Sequence, residues 1–457
     1  MGGSPCRPRV PQDMKVLLLT HHFPPDPSVG AIRPRNLARG FAREGHEVVV
    51  MTGAVEGAPL ADVVDGVAIH RVELRPSLRE RLVAVRRQVL GTRRQPAAGA
   101  VGATDPAGQT VNEASRLRRW VNSLLWLPDD RQGAAMAFVR QARKLVLPRA
   151  ESVVSSGPPH SIHLAGTVLA KGWGVPHVME YRDPWSDNTF KPAFVRSAVS
   201  DWLDSRLEAM CLRRAALVVT VTESFGELLR QRGVDGRKLL LARNGLPDQP
   251  LGDLHVGRTD EFLIVHIGSL YHRRDPRPFL VGLALAMAQL RTSGPSVRVV
   301  FAGEHSTRFE GLDLRLEVGR LGLANNVEFL DLLPHAEALA LIRRADLVLL
   351  FAQHQPLQVP NKLYEYLWAG TSVLAFADET GKSARILRAA DPQSAVTSED
   401  PDAVAEVLCD AVRGGKHRSA RSRNLSYLES LTVSNQLRGV VAASELLVSR
   451  WPGLAAA

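Results

Sequence analysis

The sequence predicts two successive doubly wound α/β domains that face a cleft. First, 457 residues are too many for one compact core, so two or more domains are expected. Second, short runs of Val, Leu and Ile alternate with longer amphipathic segments, which is typical of a parallel sheet covered by helices on both faces. Third, residues 244–261 are rich in Pro, Gly and Asp, and the alternation starts again after them.

The first domain is predicted for residues 14–245. Its strand-like runs are KVLLLT (15–20), HEVVVM (46–51), GVAIHRV (66–72), SVVSS (152–156), PHVMEY (176–181), ALVVTV (216–221) and KLLLAR (238–243). Residues 31–43 and 222–232 show the apolar spacing of helices. Residues 75–127 break the alternation because they are Arg-rich and contain a low-complexity loop, so we interpret them as an insertion.

The second domain is predicted for residues 261–418, after a linker at 246–260. Its strand-like runs are FLIVHIG (262–268), VRVVFAG (297–303), NVEFL (326–330), DLVLLFA (346–352) and SVLAF (372–376). Residues 419–457 are predicted to form a C-terminal helix that packs back on the first domain. Residues 1–13 are polar and Pro-rich and are predicted to be disordered.

The composition restricts the class of protein. The net charge of +10 indicates an anionic partner such as a nucleotide. We do not expect nucleic acid, because the sequence has no Cys/His finger and no basic stripe interleaved with aromatic residues. Three widely spaced cysteines, no signal-peptide pattern and no apolar run of about 18 residues predict a cytoplasmic protein.

The stretch QVPNKLYEYLWAGTSVLAF (358–376) places charged residues at the start of a helix between two apolar strands. Pro360 suits the first helical position, and the backbone N–H groups of Asn361 and Lys362 would then form an anion site at the positive end of the helix dipole. Glu365 lies three residues on and could accept hydrogen bonds from sugar hydroxyls. The alternative is a Lys–Glu pair on the helix surface.

HIGSLYHRRDP (266–276) is a second candidate anion site. Gly268 follows a strand, and Arg273 and Arg274 precede a helix that opens at Pro276. A glycine in such a turn lets the backbone approach an anion closely.

The first domain has two comparable strand ends. Residues 21–41 place Gly30 in a strand-to-helix turn, with Arg33 in the first helical turns. YRDPWSDN (181–188) places Asp183 at the carboxyl end of a strand, where catalytic groups lie in such sheets. Alternatively, Asp183 is a turn residue before a proline.

Together these segments resemble glycosyltransferases of the GT-B fold, family 4, over nearly the whole chain. Residues 14–52 are similar to the opening strand, glycine loop, helix and GHEV strand of that family. SSGPPHSIHLAGTVLAKGWGVPHVMEYRDPW (155–185) resembles bacterial polysaccharide and amino-sugar transferases. VTVTESFGELL, ARNGLP and VPNKLYEYLWAGTSVLA are similar to the usual counterparts, and the order and spacing of these motifs carry the resemblance.

The resemblance implies roles for individual residues. Glu365 matches the second glutamate of the family's E-x7-E element, which holds the donor ribose, and Arg274 matches a basic position that neutralises the leaving diphosphate. The donor-binding residues are then expected to be Gly30, Gly268, Ser269, Arg274, Gly303, Asn361, Lys362 and Glu365. The catalytic residues are expected to be Asp183, Arg274 and Lys362. Arg33 and Arg182 are expected on the acceptor side.

Three positions depart from the family pattern. Leu357 stands where the first glutamate of E-x7-E would be, and Ser269 stands where an arginine usually follows the phosphate-loop glycine. Arg182 and Asp183 replace the usual His-Asp pair. These changes leave the identity of the donor sugar open.

The implied activity is transfer of a hexosyl or N-acetylhexosaminyl group from a nucleoside-diphosphate sugar, with UDP expected, to a hydroxyl acceptor, with retention of configuration. No cofactor or metal is expected, because no Asp-x-Asp follows a strand where a metal-binding transferase needs it. Arg274, Lys362 and the helix N-terminus would instead stabilise the departing diphosphate. The alternatives are a nucleotide-sugar epimerase of the same fold and a catalytically degenerate scaffold.

The insertion also predicts an anionic membrane surface as a partner. Residues 77–94 and 115–127 combine arginines with apolar residues at helical spacing, and the second segment adds Trp120 and Trp126. Basic amphipathic helices with tryptophan bind membrane interfaces. We therefore expect a glycan or lipid-linked acceptor and peripheral association with the cytoplasmic membrane; the alternative is that these apolar faces pack on the first domain.

Overall fold

The structure is a computed structural model that describes residues 13–74, 123, 126–129, 131–145, 150–186, 197–249, 261–270, 274–290, 295–304, 306–355, 357–392, 394–397, 399–414 and 423–452. The chain folds into two compact units. The first contains residues up to Ala242 and from Leu437 onward, and the second runs from Arg243 to Gln436. The predicted disordered residues 1–12, nearly all of the insertion at 75–127, and linker residues 250–260 lie outside the described residues.

The first unit contains an eight-stranded sheet of order β3-β4-β2-β1-β5-β6-β7-β8, parallel except for the β3–β4 pair. Its strands are β1 (Lys15–Thr20), β2 (Glu47–Gly53), β3 (Ala61–Val64), β4 (Val67–Val72), β5 (Ser152–Gly157), β6 (His177–Tyr181), β7 (Leu217–Thr220) and β8 (Leu239–Leu241). Its helices are α1 (Ile32–Arg43), α2 (Gln132–Lys144), α3 (Ser161–Trp173), α4 (Ala198–Arg214) and α5 (Glu223–Gln231). The apolar strands are buried on both faces because helices cover the sheet.

The second unit contains a six-stranded parallel sheet of order β13-β10-β9-β14-β15-β16 and a small β11–β12 hairpin. Its strands are β9 (Phe262–Ile267), β10 (Val297–Ala302), β11 (Arg308–Phe309), β12 (Leu312–Asp313), β13 (Val327–Leu330), β14 (Leu347–Ala352), β15 (Ser372–Ala377) and β16 (Ala395–Thr397). The helices that follow are α6 (Arg277–Leu290), α7 (Leu314–Arg320), α8 (His335–Arg344), α9 (Asn361–Ala369), α10 (Lys382–Ala390), α11 (Pro401–Arg413), α12 (Leu425–Ser430) and α13 (Val433–Ser449). The predicted α/β architecture with parallel-sheet cores is confirmed in both units.

The chain changes direction in the second sheet beside β9. It runs outward from β9 through β10 to β13, and then returns to the other side of β9 with β14, β15 and β16. In open α/β sheets, ligands bind at the carboxyl ends of the strands at such a reversal. The carboxyl ends of β9 and β14 therefore mark the expected ligand site of this unit.

The C-terminal helix α13 begins in the second unit and continues in the first from Leu437. There Leu437 packs beside Gly40 of α1, where an added Cβ would lie 3.6 Å from the Leu437 side chain. His46 Nε2 lies 2.9 Å from Glu445 Oε1, and Trp451 Nε1 donates to the Gly174 carbonyl at 2.7 Å. In the part of the chain that the structure describes, no helix is both long and apolar enough to span a membrane.

Candidate functional site

Helix α9 presents its N-terminus beside β14. It begins at Asn361, so Pro360 is the N-cap residue and not the first helical residue that the sequence predicts. Pro360 offers no side chain to cap the first turn, in which the Leu363 N–H donates to the Pro360 carbonyl at 3.0 Å. The predicted Gly370 turn is confirmed, because Gly370 has φ +76° and ends the helix, where Arg423 donates to the Leu367 carbonyl.

The charged pair on α9 adopts the arrangement that the sequence left as an alternative. Lys362 Nζ lies 2.5 Å from Glu365 Oε2, and both side chains are partly buried. The pair uses one of the three ammonium protons of Lys362. The expected contacts of Lys362 with phosphate and of Glu365 with ribose stay predictions.

The loop after β9 depends on two glycines. Gly268 has φ +142° and donates its N–H to the Ala302 carbonyl at 2.9 Å. A Cβ on Gly303, at the end of β10, would lie 2.4 Å from the Gly268 carbonyl oxygen. Both positions therefore require glycine, and the backbone of the loop lies directly against the end of the neighbouring strand.

Arg274 lies beside this loop. Its Nη1 would be 4.0 Å from a Cβ on Gly268, whereas Arg273 lies outside the described residues. Gln353, at the end of β14, donates its side-chain amide to the Asp275 carbonyl at 2.8 Å. The Asp275 carboxylate in turn accepts from the Arg277 backbone N–H at 2.9 Å, so the segment next to Arg274 is held at the start of α6.

His266 lies beneath the predicted phosphate-binding residues. Its Nδ1 lies 3.0 Å from the Leu349 carbonyl, which can only accept, so Nδ1 carries the proton. Burial, together with the positive charges of Arg274 and Lys362, lowers the pKa of His266 to about 4, against the raising effect of hydrogen bonding to the Leu349 and Gly268 backbone. His266 is therefore neutral at pH 7, and both cations lie close to the same imidazole.

Tyr366 is the second buried polar residue of this region. Its Oη accepts from the Ile267 N–H at 3.2 Å, and burial raises its pKa well above the usual value. His266, Gln353 and Tyr366 were not predicted from the sequence. The signal for His266 was a lone histidine inside the apolar run FLIVHIG, whereas Gln353 and Tyr366 follow or interrupt apolar segments without a comparable mark.

The second unit thus gathers most of the predicted donor-binding set at the carboxyl end of β9. Gly268, Ser269 and Gly303 form or adjoin the loop, and Arg274 and Lys362 bring positive charge to it. In the described part of the chain, no group of three or more His, Cys, Asp or Glu side chains could hold a metal ion.

In the first unit, Arg182 joins its own loop after β6 to the loops after β1 and β5 at the carboxyl edge of the sheet. Its guanidinium donates to the carbonyls of Gly157 at 2.9 Å, Gly30 at 3.1 Å and Pro158 at 2.9 Å. The predicted glycine loop after β1 is therefore fixed through Gly30. The Arg182 guanidinium thus donates to the protein itself. The expected contact of Arg182 with an acceptor substrate stays a prediction.

Arg33 occupies a buried ion pair. Its Nε donates to Glu180 Oε1 at 2.8 Å and its Nη2 to the Ala242 carbonyl at 2.8 Å. Ser156 Oγ donates to the other oxygen of Glu180. Only 7% of Arg33 is exposed, and its ion pair joins α1 to β6. The expected contact of Arg33 with an acceptor stays a prediction.

Asp183 lies two residues beyond β6, at the carboxyl edge where the sequence placed it. Burial lowers the pKa of Arg182, and the negative charges of Glu180 and Asp183 partly oppose this shift. Nearby, His160 stacks on Trp185 with ring centroids 5.3 Å apart, and burial lowers the pKa of His160 to about 3. The contact between His160 and Trp185 was not predicted from the sequence. The role of Asp183 near the reacting carbon stays a prediction.

Two family models together match most of the chain. The model of the glycosyl transferase 4-like domain matches residues 30–245, and the model of glycosyl transferases group 1 matches residues 256–425. A search of curated protein sequences gave no match.

Solved structures with the same fold are similar over nearly their whole length. Sucrose-phosphate synthase from Thermosynechococcus elongatus has a TM-score of 0.55 and 16% identity, with 95% of this chain and 96% of that chain covered. Anabaena HepE in complex with UDP has a TM-score of 0.53 and 14% identity, with 96% and 98% covered. Trehalose 6-phosphate synthase from Burkholderia multivorans has a TM-score of 0.59 and 12% identity, with 95% and 96% covered.

Proposed function

The chain belongs to the group 1 glycosyltransferases of the GT-B fold, and we propose that it transfers a sugar from a UDP-sugar to a hydroxyl acceptor. The observation that carries this proposal is the convergence of Gly268, Arg274 and Lys362 at the carboxyl end of β9. A backbone turn, two cations and a helix N-terminus are groups that bind a diphosphate. The structure of Anabaena HepE with UDP supports UDP as the nucleotide.

The chemical step requires stabilisation of the leaving diphosphate. The acceptor oxygen forms a bond to the anomeric carbon, the bond from that carbon to the diphosphate breaks, and the acceptor proton passes to the departing phosphate oxygen. Arg274 and Lys362 would stabilise the charge that develops on the diphosphate, since preorganised cations act most strongly where charge forms. Retention of configuration, independence of metal ions and a role for Asp183 near the reacting carbon are part of this proposal and come from the family resemblance.

Glu365 is assigned to the donor ribose. The Glu365 carboxylate lies 2.5 Å from Lys362 Nζ. A nucleotide bound at this helix could therefore contact Glu365 through its ribose and Lys362 through its phosphates. Carboxylates accept hydrogen bonds from vicinal hydroxyls at more than one lone pair. Leu357 replaces the carboxylate that usually contacts the sugar in this family. The proposal therefore includes both a hexosyl and an N-acetylhexosaminyl group as the group transferred.

The proposed acceptor is a glycan or a lipid-linked molecule at an anionic membrane surface. The Arg-rich insertion at 75–127 supports this, although it lies almost wholly outside the described residues. On the helices of the first unit, Met136 of α2 and Trp202 of α4 are 57% and 56% exposed, and the Arg206 guanidinium lies 5.1 Å from the Trp202 ring centroid. Exposed apolar and basic side chains of this kind favour binding to anionic lipid.

The test of the proposed function is an assay with a panel of UDP-, GDP- and ADP-sugars. We expect one donor to give nucleoside diphosphate together with a glycosylated product. Lipid-linked and water-soluble acceptors are both supplied, and the one that becomes glycosylated identifies the acceptor class. Conversion of the donor into an epimeric nucleotide sugar without transfer, or no reaction with any donor, would contradict the proposal. Sedimentation with anionic and neutral vesicles separately tests the membrane surface.

A further inference from the structure

The carboxyl ends of β9 and β14 separate at the candidate site. β9 pairs with β10 as far as Ile267, whereas its pairing with β14 ends at Val265. Beyond that point, two side chains take the place of the strand ladder. His266 Nδ1 donates to the Leu349 carbonyl at 3.0 Å, and the Ile267 N–H donates to Tyr366 Oη at 3.2 Å.

Tyr366 connects the two elements that carry the predicted phosphate contacts. It follows Glu365 on α9 and lies one turn after Lys362, while its hydroxyl reaches the residue that immediately precedes Gly268. The side chain is fully buried. A buried backbone N–H needs an acceptor, and at Ile267 that acceptor is a side chain from the helix and not a neighbouring strand.

Resting on the proposed function, we infer that Tyr366 is a positioning residue for the donor diphosphate, because its hydroxyl sets the Gly268 loop against the helix that carries Lys362. His266 holds the other side of the same gap through the Leu349 carbonyl. A diphosphate must contact the loop backbone and the helix at once, so a small shift between these elements weakens both contacts. With phenylalanine at 366, the Ile267 N–H loses its acceptor and only apolar packing sets the distance.

The test compares Tyr366→Phe with Tyr181→Phe. Tyr181 is a matched control because it is buried and its hydroxyl is hydrogen-bonded to Glu208 and to the Trp185 N–H, but it lies in the first unit. Calorimetry with UDP and UMP should show that Tyr366→Phe weakens UDP binding by about five-fold or more, the effect of one lost hydrogen bond, and weakens UMP binding less. Tyr181→Phe should lower thermal stability and leave both affinities unchanged.

Amide exchange provides a readout that does not depend on the ligand. In Tyr366→Phe, a peptide covering 262–270 should exchange faster than in the wild type and in Tyr181→Phe. A second pair of variants tests the other side of the gap. His266→Asn places an amide nitrogen near the position of Nδ1 and should retain UDP affinity, whereas His266→Ala should lose it.

The outcomes separate this inference from the proposed function. If the wild type binds none of UDP, GDP and ADP, the proposed function fails and the inference fails with it. If the wild type binds UDP but Tyr366→Phe binds it equally well, with unchanged exchange in 262–270, the inference alone is wrong. Equal loss of UDP affinity in Tyr181→Phe would also overturn it, because the effect would then be one of general stability.

Discussion

Lys362 either binds phosphate at the start of α9 or only forms an ordinary surface ion pair. We predict that the Lys362→Ala variant shows which of these two roles it has. Its ammonium is 2.5 Å from Glu365, and the two side chains are 27% and 15% exposed. A partly exposed pair three residues apart contributes at most about 1 kcal/mol to folding. A charge-assisted contact with phosphate contributes about 1.5–3 kcal/mol, which corresponds to a loss of roughly 10- to 150-fold in UDP affinity.

The second unit offers a matched control for this variant. Glu317 and Arg320 of α7 form an ion pair with the same spacing but in the opposite order, with Arg320 Nη2 2.6 Å from Glu317 Oε1. Calorimetry with UDP and urea denaturation should therefore show similar small losses of stability in Lys362→Ala and Arg320→Ala, but a loss of UDP affinity only in Lys362→Ala. If both variants bind UDP as the wild type does, Lys362 is only one partner of a helix ion pair and does not bind phosphate.

Further predictions concern acid stability, the glycine loop and metal ions. Burial lowers the pKa of four histidines to about 3 or 4, namely His21, His160, His177 and His266. These imidazoles stay neutral in the folded protein, but in the unfolded chain they take up protons below about pH 6.5. Their contribution to the free energy of unfolding is therefore complete above that pH and falls as pH decreases, by about 1.4 kcal/mol per histidine at pH 5.5. Equal urea midpoints at pH 7.5 and 5.5 would contradict this prediction. Gly303→Ala should destabilise the protein by about 1–3 kcal/mol, because its Cβ would lie 2.4 Å from the Gly268 carbonyl oxygen. Gly319→Ala on α7, whose Cβ would meet nothing within 4 Å beyond its chain neighbours and its own helix backbone, should be neutral or stabilising in denaturation experiments. Transferase activity should survive excess chelator, and a loss that added magnesium or manganese restores would contradict the proposed mechanism.

Local sequence patterns predicted the elements whose burial is uniform. The runs at β1, β9 and β14 are mainly apolar because helices cover both faces of the sheet, so their identity as strands follows from composition. The edge strand β3, by contrast, is mostly exposed, and the β11–β12 hairpin has two residues in each strand. Such short or exposed strands lack the continuous apolar run on which the prediction depended.

The residues of the candidate site also differ in whether a local sequence pattern predicts them. Gly268 and Lys362 belong to short strand–turn–helix patterns that can be recognised within a dozen residues. Tyr366 contacts Ile267 across 99 positions, and Arg33 contacts Glu180 across 147. No local pattern specifies such partners, so the sequence could assign Arg33 only to the surface of the site, whereas the fold buries it in an ion pair.

The proposed binding site for the diphosphate of a nucleotide sugar consists of the carboxyl end of β9 and the N-terminus of α9. Hydrogen exchange of the full chain with and without saturating UDP tests it most directly, because ligand contacts slow the exchange of the amides they cover. We predict slower exchange in peptides covering 262–276 and 357–370, both in the second unit, and loss of this protection in Lys362→Ala at the same UDP concentration. No protection in either segment with UDP, GDP or ADP, or protection confined to other parts of the chain, would show that these two elements do not bind the diphosphate.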